Sequence, residues 1–387
     1  MVAECPAGPE GVEVLRRAVS AVLSGGEAIA LLPGYAPAPM REALLRDLRQ
    51  AEPVGKGRLL CPTSGSTGAS HWVVLPAEAL HRAAVARDAH QGGSSAWLLG
   101  LPPATAAGVA AAARSVRTDS PLHCWHGVGG GRFEAEGFTA DAAALLDRAE
   151  AAGVPARASV VATQLARLLD AAAATAADGP AAHDATEILR RFDAVLVGGG
   201  PLAPRLRERA MAAGVPVVAT YGMTETAGGC VYDGRPTPGV DVTLLDGQVL
   251  LAADCLAERY LTAPLPKVGD AFATGDRGRW REERLEILGR LDDVVTVRGA
   301  NVDLAAVRAV VADVVGVRES TVVAMPDPAG GARLRAVVVG EALPAQVRTL
   351  VAERLGAAAV PEVLVASALP RLPGGKVDLR RLAKGTE

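Results

Sequence analysis

Short apolar runs that break off at glycine turns and give way to helical spacing constrain this chain more than any other pattern. Asp193-Ala194-Val195-Leu196-Val197 runs into Gly198-Gly199-Gly200-Pro201, and Val215-Pro216-Val217-Val218-Ala219-Thr220 runs into Tyr221-Gly222. Strand, glycine turn, helix, strand is the grammar of an α/β fold, whose ligands collect at the carboxyl ends of the strands. The 387 residues are 50% hydrophobic but only 3% aromatic, so the cores must be built from Ala, Val and Leu. A chain of this length accommodates two or three domains.

Apolar spacing predicts helices over 11–23, 40–48 and 104–116, and strands over 59–61, 72–75 and 97–101. Residues 158–169 open as a strand and become a helix, and the Ala-rich 170–186 reads as a helix end plus a mobile loop. From about Pro238 the pattern alternates, with strands over 240–245, 247–251 and 285–288 making a β subdomain. Beyond Gly289, strands over 294–297, 321–324 and 334–339 mix with helices over 304–314 and 344–355. The expected architecture is α/β: a large N-terminal domain of α/β layers plus a β subdomain over 1–288, and a small α+β C-terminal domain over 293–387.

A net charge of −3 advertises neither nucleic acid nor a membrane surface as partner. The five cysteines are scattered without a CxxC pair, so a reducing cytoplasm is expected and a zinc site is not. Glu4, Pro6 and Pro9 stand where a signal peptide would need a basic start and an apolar core. These features point to a soluble cytoplasmic protein, and a homodimer is compatible with them.

Pro62-Thr63-Ser64-Gly65-Ser66-Thr67-Gly68 offers hydroxyls, two glycines and closely spaced backbone N–H groups. Such a loop can wrap a polyphosphate, although ordinary solvated loops share the composition and no P-loop lysine follows. Tyr221-Gly222-Met223-Thr224-Glu225-Thr226 supplies a flat ring, a hydroxyl and a carboxylate suited to a nucleotide and its Mg²⁺. A turn with a capping Glu would read the same way. Thr274-Gly275-Asp276 holds a carboxylate on a glycine turn, either as an acceptor for ribose hydroxyls or as a plain β-turn Asp. Gly289-Arg290-Leu291-Asp292-Asp293 is a charged domain junction or an exposed linker, and Gly374-Gly375-Lys376-Val377-Asp378 presents a lysine that is solvated unless something recruits it.

In order and together, these motifs resemble the adenylate-forming superfamily of acyl- and aryl-CoA ligases, peptide-synthetase adenylation domains and luciferases. The similarity covers roughly 59–382. Within it, Ser159-Val160-Val161-Ala162-Thr163-Gln164-Leu165 and Gly222-Met223-Thr224-Glu225-Thr226-Ala227-Gly228-Gly229 look most like the short actinobacterial 2-succinylbenzoate–CoA ligases of menaquinone synthesis. The resemblance implies ATP, Mg²⁺ and CoA as cofactors and a small-molecule carboxylic acid as substrate. It places Thr63, Ser64, Gly65, Ser66, Thr67 and Gly68 on the β- and γ-phosphates, and Gly199, Gly200, Tyr221 and Gly222 around the adenine. Asp276 and Arg290 would hold the ribose, Thr224 the α-phosphate and Glu225 the metal, while Lys376 would reach the reacting oxygens. The family's small domain rotates between half-reactions, here about a hinge over 289–292 centred on Asp292, which would bring Gly299 to the CoA channel.

Three departures bear on the substrate. Ala69-Ser70-His71 replaces the usual x-Pro-Lys after the phosphate loop, exchanging a point charge for an imidazole. Leu101-Pro102-Pro103-Ala104-Thr105-Ala106-Ala107-Gly108 lacks the His that this branch carries in its acyl pocket, and Val297-Arg298-Gly299 lacks a second glycine. The alternatives are a secondary-metabolism enzyme that passes an activated aryl acid to a carrier protein or amine, a diazotase-like enzyme that activates nitrite for an arylamine, or a nucleotide-binding pseudo-enzyme.

Overall fold

In the computed structural model, residues 1–63, 70–129, 133–178, 185–327, 330–371 and 377–384 are described, without the side chains of 174–178. They divide into two compact units. The first comprises Met1–Leu202, Leu206–Thr243 and Leu250–Ala273, and the second Ala203–Arg205, Leu244–Val249 and Thr274–Glu387.

Two sheets organise the first unit. In the smaller, Val2–Cys5, Ile29–Pro33 and Arg58–Pro62 run parallel, Trp72–Pro76 returns antiparallel, and Arg259–Tyr260 completes the edge. The two N-terminal strands were not legible in the sequence; Val2–Cys5 is only four residues long and fully buries only Cys5. The larger sheet has seven strands, and five of them (Ala96–Leu99, Leu122–Cys124, Ala156–Val161, Ala194–Gly198 and Val217–Met223) are parallel. Parallel strands are covered on both faces, which explains the unbroken Ala194-Val195-Leu196-Val197 run. Phe138 and Leu145 from helix Ala135–Ala151 pack on one face of this core. Helix Ala162–Asp178 extends into the Ala-rich stretch after 169, where the sequence predicts a helix end.

The β subdomain expected after 238 is a five-stranded sheet of Val240–Leu245, Gln248–Ala253, Lys267–Val268, Ala271–Arg281 and Arg284–Arg290. Thr274-Gly275-Asp276 lies within the strand Ala271–Arg281 and not on a turn. The second unit also has a three-stranded sheet of Val317–Pro326, Ala332–Gly340 and Glu362–Val365. Val307 and Val311 of helix Leu304–Ala312, with Val347 and Val351 of helix Pro344–Leu355, close its core. Among the described residues, no helix is long and apolar enough to cross a membrane.

Candidate active site

The strands Arg58–Pro62 and Trp72–Pro76 pair in antiparallel register, so the Ser/Thr/Gly segment joins the two arms of a hairpin. Its base is locked twice: the Thr63 N–H donates to the His71 carbonyl at 2.8 Å, and the His71 N–H donates to Thr63 Oγ1 at 3.0 Å. From there a short chain of side chains leads to the predicted metal ligand. The His71 ring lies 6.0 Å from the Tyr260 ring, and the Tyr260 hydroxyl donates to Glu225 Oε1 at 2.8 Å. Tyr260 is aimed there because its strand pairs with Trp72–Pro76, opposite Val73. Thr63 and Glu225, 162 positions apart in sequence, are thereby brought into one constellation. Ser64, Gly65, Ser66, Thr67, Gly68 and Lys376 lie outside the described residues.

Thr224 and Glu225 occupy a 3₁₀ turn, Thr224–Thr226, at the end of the strand Val217–Met223. Buried Thr226 braces that turn, accepting from the Met223 N–H at 3.0 Å and donating to the Gly228 carbonyl at 2.6 Å. Buried Arg87, from helix Ala77–Gln91, donates to the carbonyls of Gly229 at 2.6 Å and Thr226 at 2.9 Å. Gly222 is fixed by close approach, since a Cβ there would stand 2.2 Å from the Gly228 carbonyl oxygen. Its glycine is therefore a structural requirement of the strand pair that carries Tyr221 and Thr224.

Gly199 and Gly200 follow the carboxyl end of the strand Ala194–Gly198, and Tyr221 lies within the adjacent parallel strand Val217–Met223, the two pairing through Val197 and Ala219. A Cβ on Gly200 would meet nothing within 4 Å, so the backbone there is open to a flat ligand.

The second unit, taken by itself, holds an acidic and basic pair. Asp276 and Arg290 face each other in antiparallel register, and their side chains are 3.5 Å apart. Thr274 orients the strand at this point: its hydroxyl donates to the Val249 carbonyl at 2.9 Å and accepts from the Asp276 N–H at 3.1 Å. Arg290 also donates to Asp292 at 3.2 Å. Burial works against its charge, but Asp276, Asp292 and Asp293 outweigh that and hold the guanidinium above its ordinary range. Asp292 therefore sits in the 3₁₀ turn Leu291–Asp293 as a partner of Arg290. Gly299 is the second residue of a two-residue hairpin turn between Val294–Val297 and Ala300–Asp303, with φ +83° after Arg298 at +49°. Such primed turns require positive φ at both positions, which accounts for Gly299 without reference to a ligand.

Two residues here escaped sequence reasoning. Tyr260 belongs to no motif; its one signal was being an aromatic residue in an aromatic-poor chain. Arg87 had none, because a helical arginine is ordinarily solvated. The departure at Thr105 also has a structural use: it caps helix Ala106–Thr118, accepting from the Gly108 N–H at 3.2 Å and donating to the Pro102 carbonyl at 2.8 Å.

Residues 50–254 match the family described as AMP-binding enzyme. The chain is also 35% identical to the probable 2-succinylbenzoate–CoA ligase of Mycobacterium tuberculosis, over 98% of this chain and 96% of the relative. The chain belongs to the AMP-binding enzyme family. It is an ATP-dependent, adenylate-forming ligase. Solved structures share its fold. The o-succinylbenzoate CoA synthetase of Bacillus subtilis, in complex with an acyl-adenylate intermediate, aligns over 100% of this chain and 88% of its own with TM-score 0.77 at 21% identity. The amide bond synthetase of Marinactinospora thermotolerans covers 99% of this chain and 88% of its own with TM-score 0.72 at 20% identity.

Proposed function

We propose that this AMP-binding enzyme activates 2-succinylbenzoate, or a closely related aryl-keto acid, as its adenylate and then forms the CoA thioester. The full-length 35% identity to the Mycobacterium tuberculosis relative carries this reading. In the first half-reaction the substrate carboxylate attacks the α-phosphorus of ATP and pyrophosphate leaves. In the second the thiol of CoA displaces AMP. No protein nucleophile is required. The cost lies in bringing two anions together and in the charge that builds on the phosphoryl oxygens.

Thr63 to Gly68 would hold the β- and γ-phosphates, and Gly199, Gly200, Tyr221 and Gly222 would form the adenine surface. Asp276 would accept from the ribose hydroxyls, with Arg290 beside it. The Glu225 carboxylate and the neighbouring Thr224 hydroxyl make an all-oxygen donor set of the kind Mg²⁺ prefers, so these residues fit that ion. When bound, Mg²⁺ would offset negative charge on the phosphates. Lys376 would supply a second positive charge at the reacting oxygens. Asp292 would serve as the hinge, within 289–292 and between domains over 1–288 and 293–387, and Gly299 would border the CoA channel.

Pyrophosphate release tests the reading directly. With ATP, Mg²⁺ and 2-succinylbenzoate we expect release, accompanied by CoA consumption when CoA is added. No turnover with that acid, but turnover with other aryl acids, would overturn the substrate assignment. A second reading, transfer to an amine or carrier-protein thiol, is favoured by one observation. Ala104 and Thr105 stand where the succinylbenzoate branch would carry a His, and Thr105 is committed to capping a helix. Turnover that is indifferent to CoA but accelerated by an amine would support it.

A further inference from the structure

We propose that His123, His126 and Asp141 form a binding site for a first-row divalent transition metal of the Zn²⁺ class, separate from the adenylating centre. Nδ1 or Nε2 of each imidazole and a carboxylate oxygen of Asp141 all lie within 4.8 Å of one another. His123 is the middle residue of the strand Leu122–Cys124 at the edge of the seven-stranded sheet, His126 stands in the turn that follows, and Asp141 comes from helix Ala135–Ala151. That edge is four strands from Val217–Met223, about 19 Å at ordinary strand spacing. The cluster therefore cannot belong to the constellation around Glu225.

The scaffold beneath the cluster is rigid. Trp125, between the two histidines, is buried and packs edge-on against Phe133 at 4.8 Å. Gly127 lets the turn fold over that indole, because a Cβ there would stand 2.2 Å from the ring. Asp141 is already oriented: its Oδ2 accepts from the His126 N–H at 2.8 Å, while its Oδ1 faces His126 Nδ1 at 2.6 Å and His123 Nε2 at 3.5 Å. A backbone hydrogen bond of this kind fixes a ligating carboxylate as outer-shell partners do in metal sites. Ligand bonds near 2.0–2.1 Å in a tetrahedral site put donor atoms about 3.3 Å apart, close to the His123–Asp141 separation. The His126 contact must open by less than about 1 Å to reach that spacing. Its ring is free to do so, since 67% of the side chain is exposed.

Two imidazoles and one carboxylate suit Zn²⁺, Co²⁺ or Ni²⁺ and discriminate against Mg²⁺, which favours oxygen ligands. The scattered cysteines argue against a thiolate zinc site but not against a mixed donor set of His123, His126 and Asp141. Three protein ligands leave at least one coordination position for water, as in open zinc sites.

Untagged protein, stripped with a chelator and dialysed, should take up one equivalent of Zn²⁺ by calorimetry in excess Mg²⁺. Co²⁺ should give the visible d–d bands of a low-coordinate site. His126→Gln, at an exposed side chain, should weaken Zn²⁺ binding at least about tenfold, the lower end of what losing even an outer-shell partner costs. Asp141→Asn should do the same, and pyrophosphate release should be unchanged in both variants. Absence of stoichiometric uptake by the parent protein, uptake abolished by Mg²⁺, or affinity unaffected by His126→Gln would each overturn the proposal.

Discussion

Tyr260 is the residue through which the loop base and the predicted metal ligand communicate. Its hydroxyl reaches Glu225 Oε1 at 2.8 Å, and its ring lies beside His71. A hydrogen bond to a carboxylate does more than a neutral one, because it fixes the direction in which the remaining lone pairs point. Tyr260→Phe keeps the ring and its packing but removes that donor. The apparent affinity for Mg·ATP should fall about tenfold, equivalent to about 1.4 kcal/mol and near the lower end for hydrogen bonds to charged groups. Pyrophosphate release measured against Mg²⁺ concentration should show this as a raised KM with little change in thermal stability. An unaltered Mg²⁺ dependence would remove Tyr260 from the site.

At the scale of elements, motifs were legible where a local pattern sets the structure and illegible where a distant partner does. The hairpin arms at 59–61 and 72–75 and the strand before Gly198 follow from their own apolar runs, and all are present. Asp276 looked like a turn residue because Gly275, at φ +74°, interrupts the alternation. Its strand exists because Arg284–Arg290 pairs with it, which no local window reveals. Arg87 was invisible for the same reason: the carbonyls it serves are about 140 positions away. The pairing of Val217–Met223 with Gly228–Tyr232 offers the sharpest test at this scale. Gly222→Ala would drive a methyl group into the Gly228 carbonyl, a backbone group that cannot step aside. The strands must part, at a cost of about 1–3 kcal/mol on the scale of overpacked sites. Urea unfolding should register that loss, and adenylation should fall more steeply than stability because Thr224 and Glu225 move with the strand. A variant with parent-like stability and activity would show that the pair can relax freely.

At the scale of the whole molecule, two predictions concern groups whose behaviour depends on more than their neighbours. All five cysteines are free and buried. Burial pushes the thiols of Cys5, Cys61 and Cys230 from 9.0 up to about 12. The unfolded chain therefore releases these protons near pH 9, while the folded chain keeps them until about pH 12. Across that window the native state binds more protons than the unfolded state, so stability must fall as pH rises. Urea midpoints should decline between pH 9 and pH 11, and native protein at pH 8 should resist thiol reagents that label it fully in denaturant; a flat alkaline profile with rapid native labelling would contradict the burial. The other prediction separates the two half-reactions. If Lys376 stabilises charge only during attack on the α-phosphorus, Lys376→Ala should slow adenylate formation by about 10²–10³, the scale of losing one transition-state charge donor. Thiolysis of a supplied acyl-adenylate should be spared, since that step releases AMP from an activated carbonyl and gains nothing from a cation at the departing pyrophosphate. Asp292→Pro, which stiffens the proposed hinge, should show the converse: adenylation retained and thiolysis slowed. Equal losses in both steps for both variants would mean that one fixed arrangement serves the whole reaction, and the alternating-domain mechanism would not apply to this enzyme.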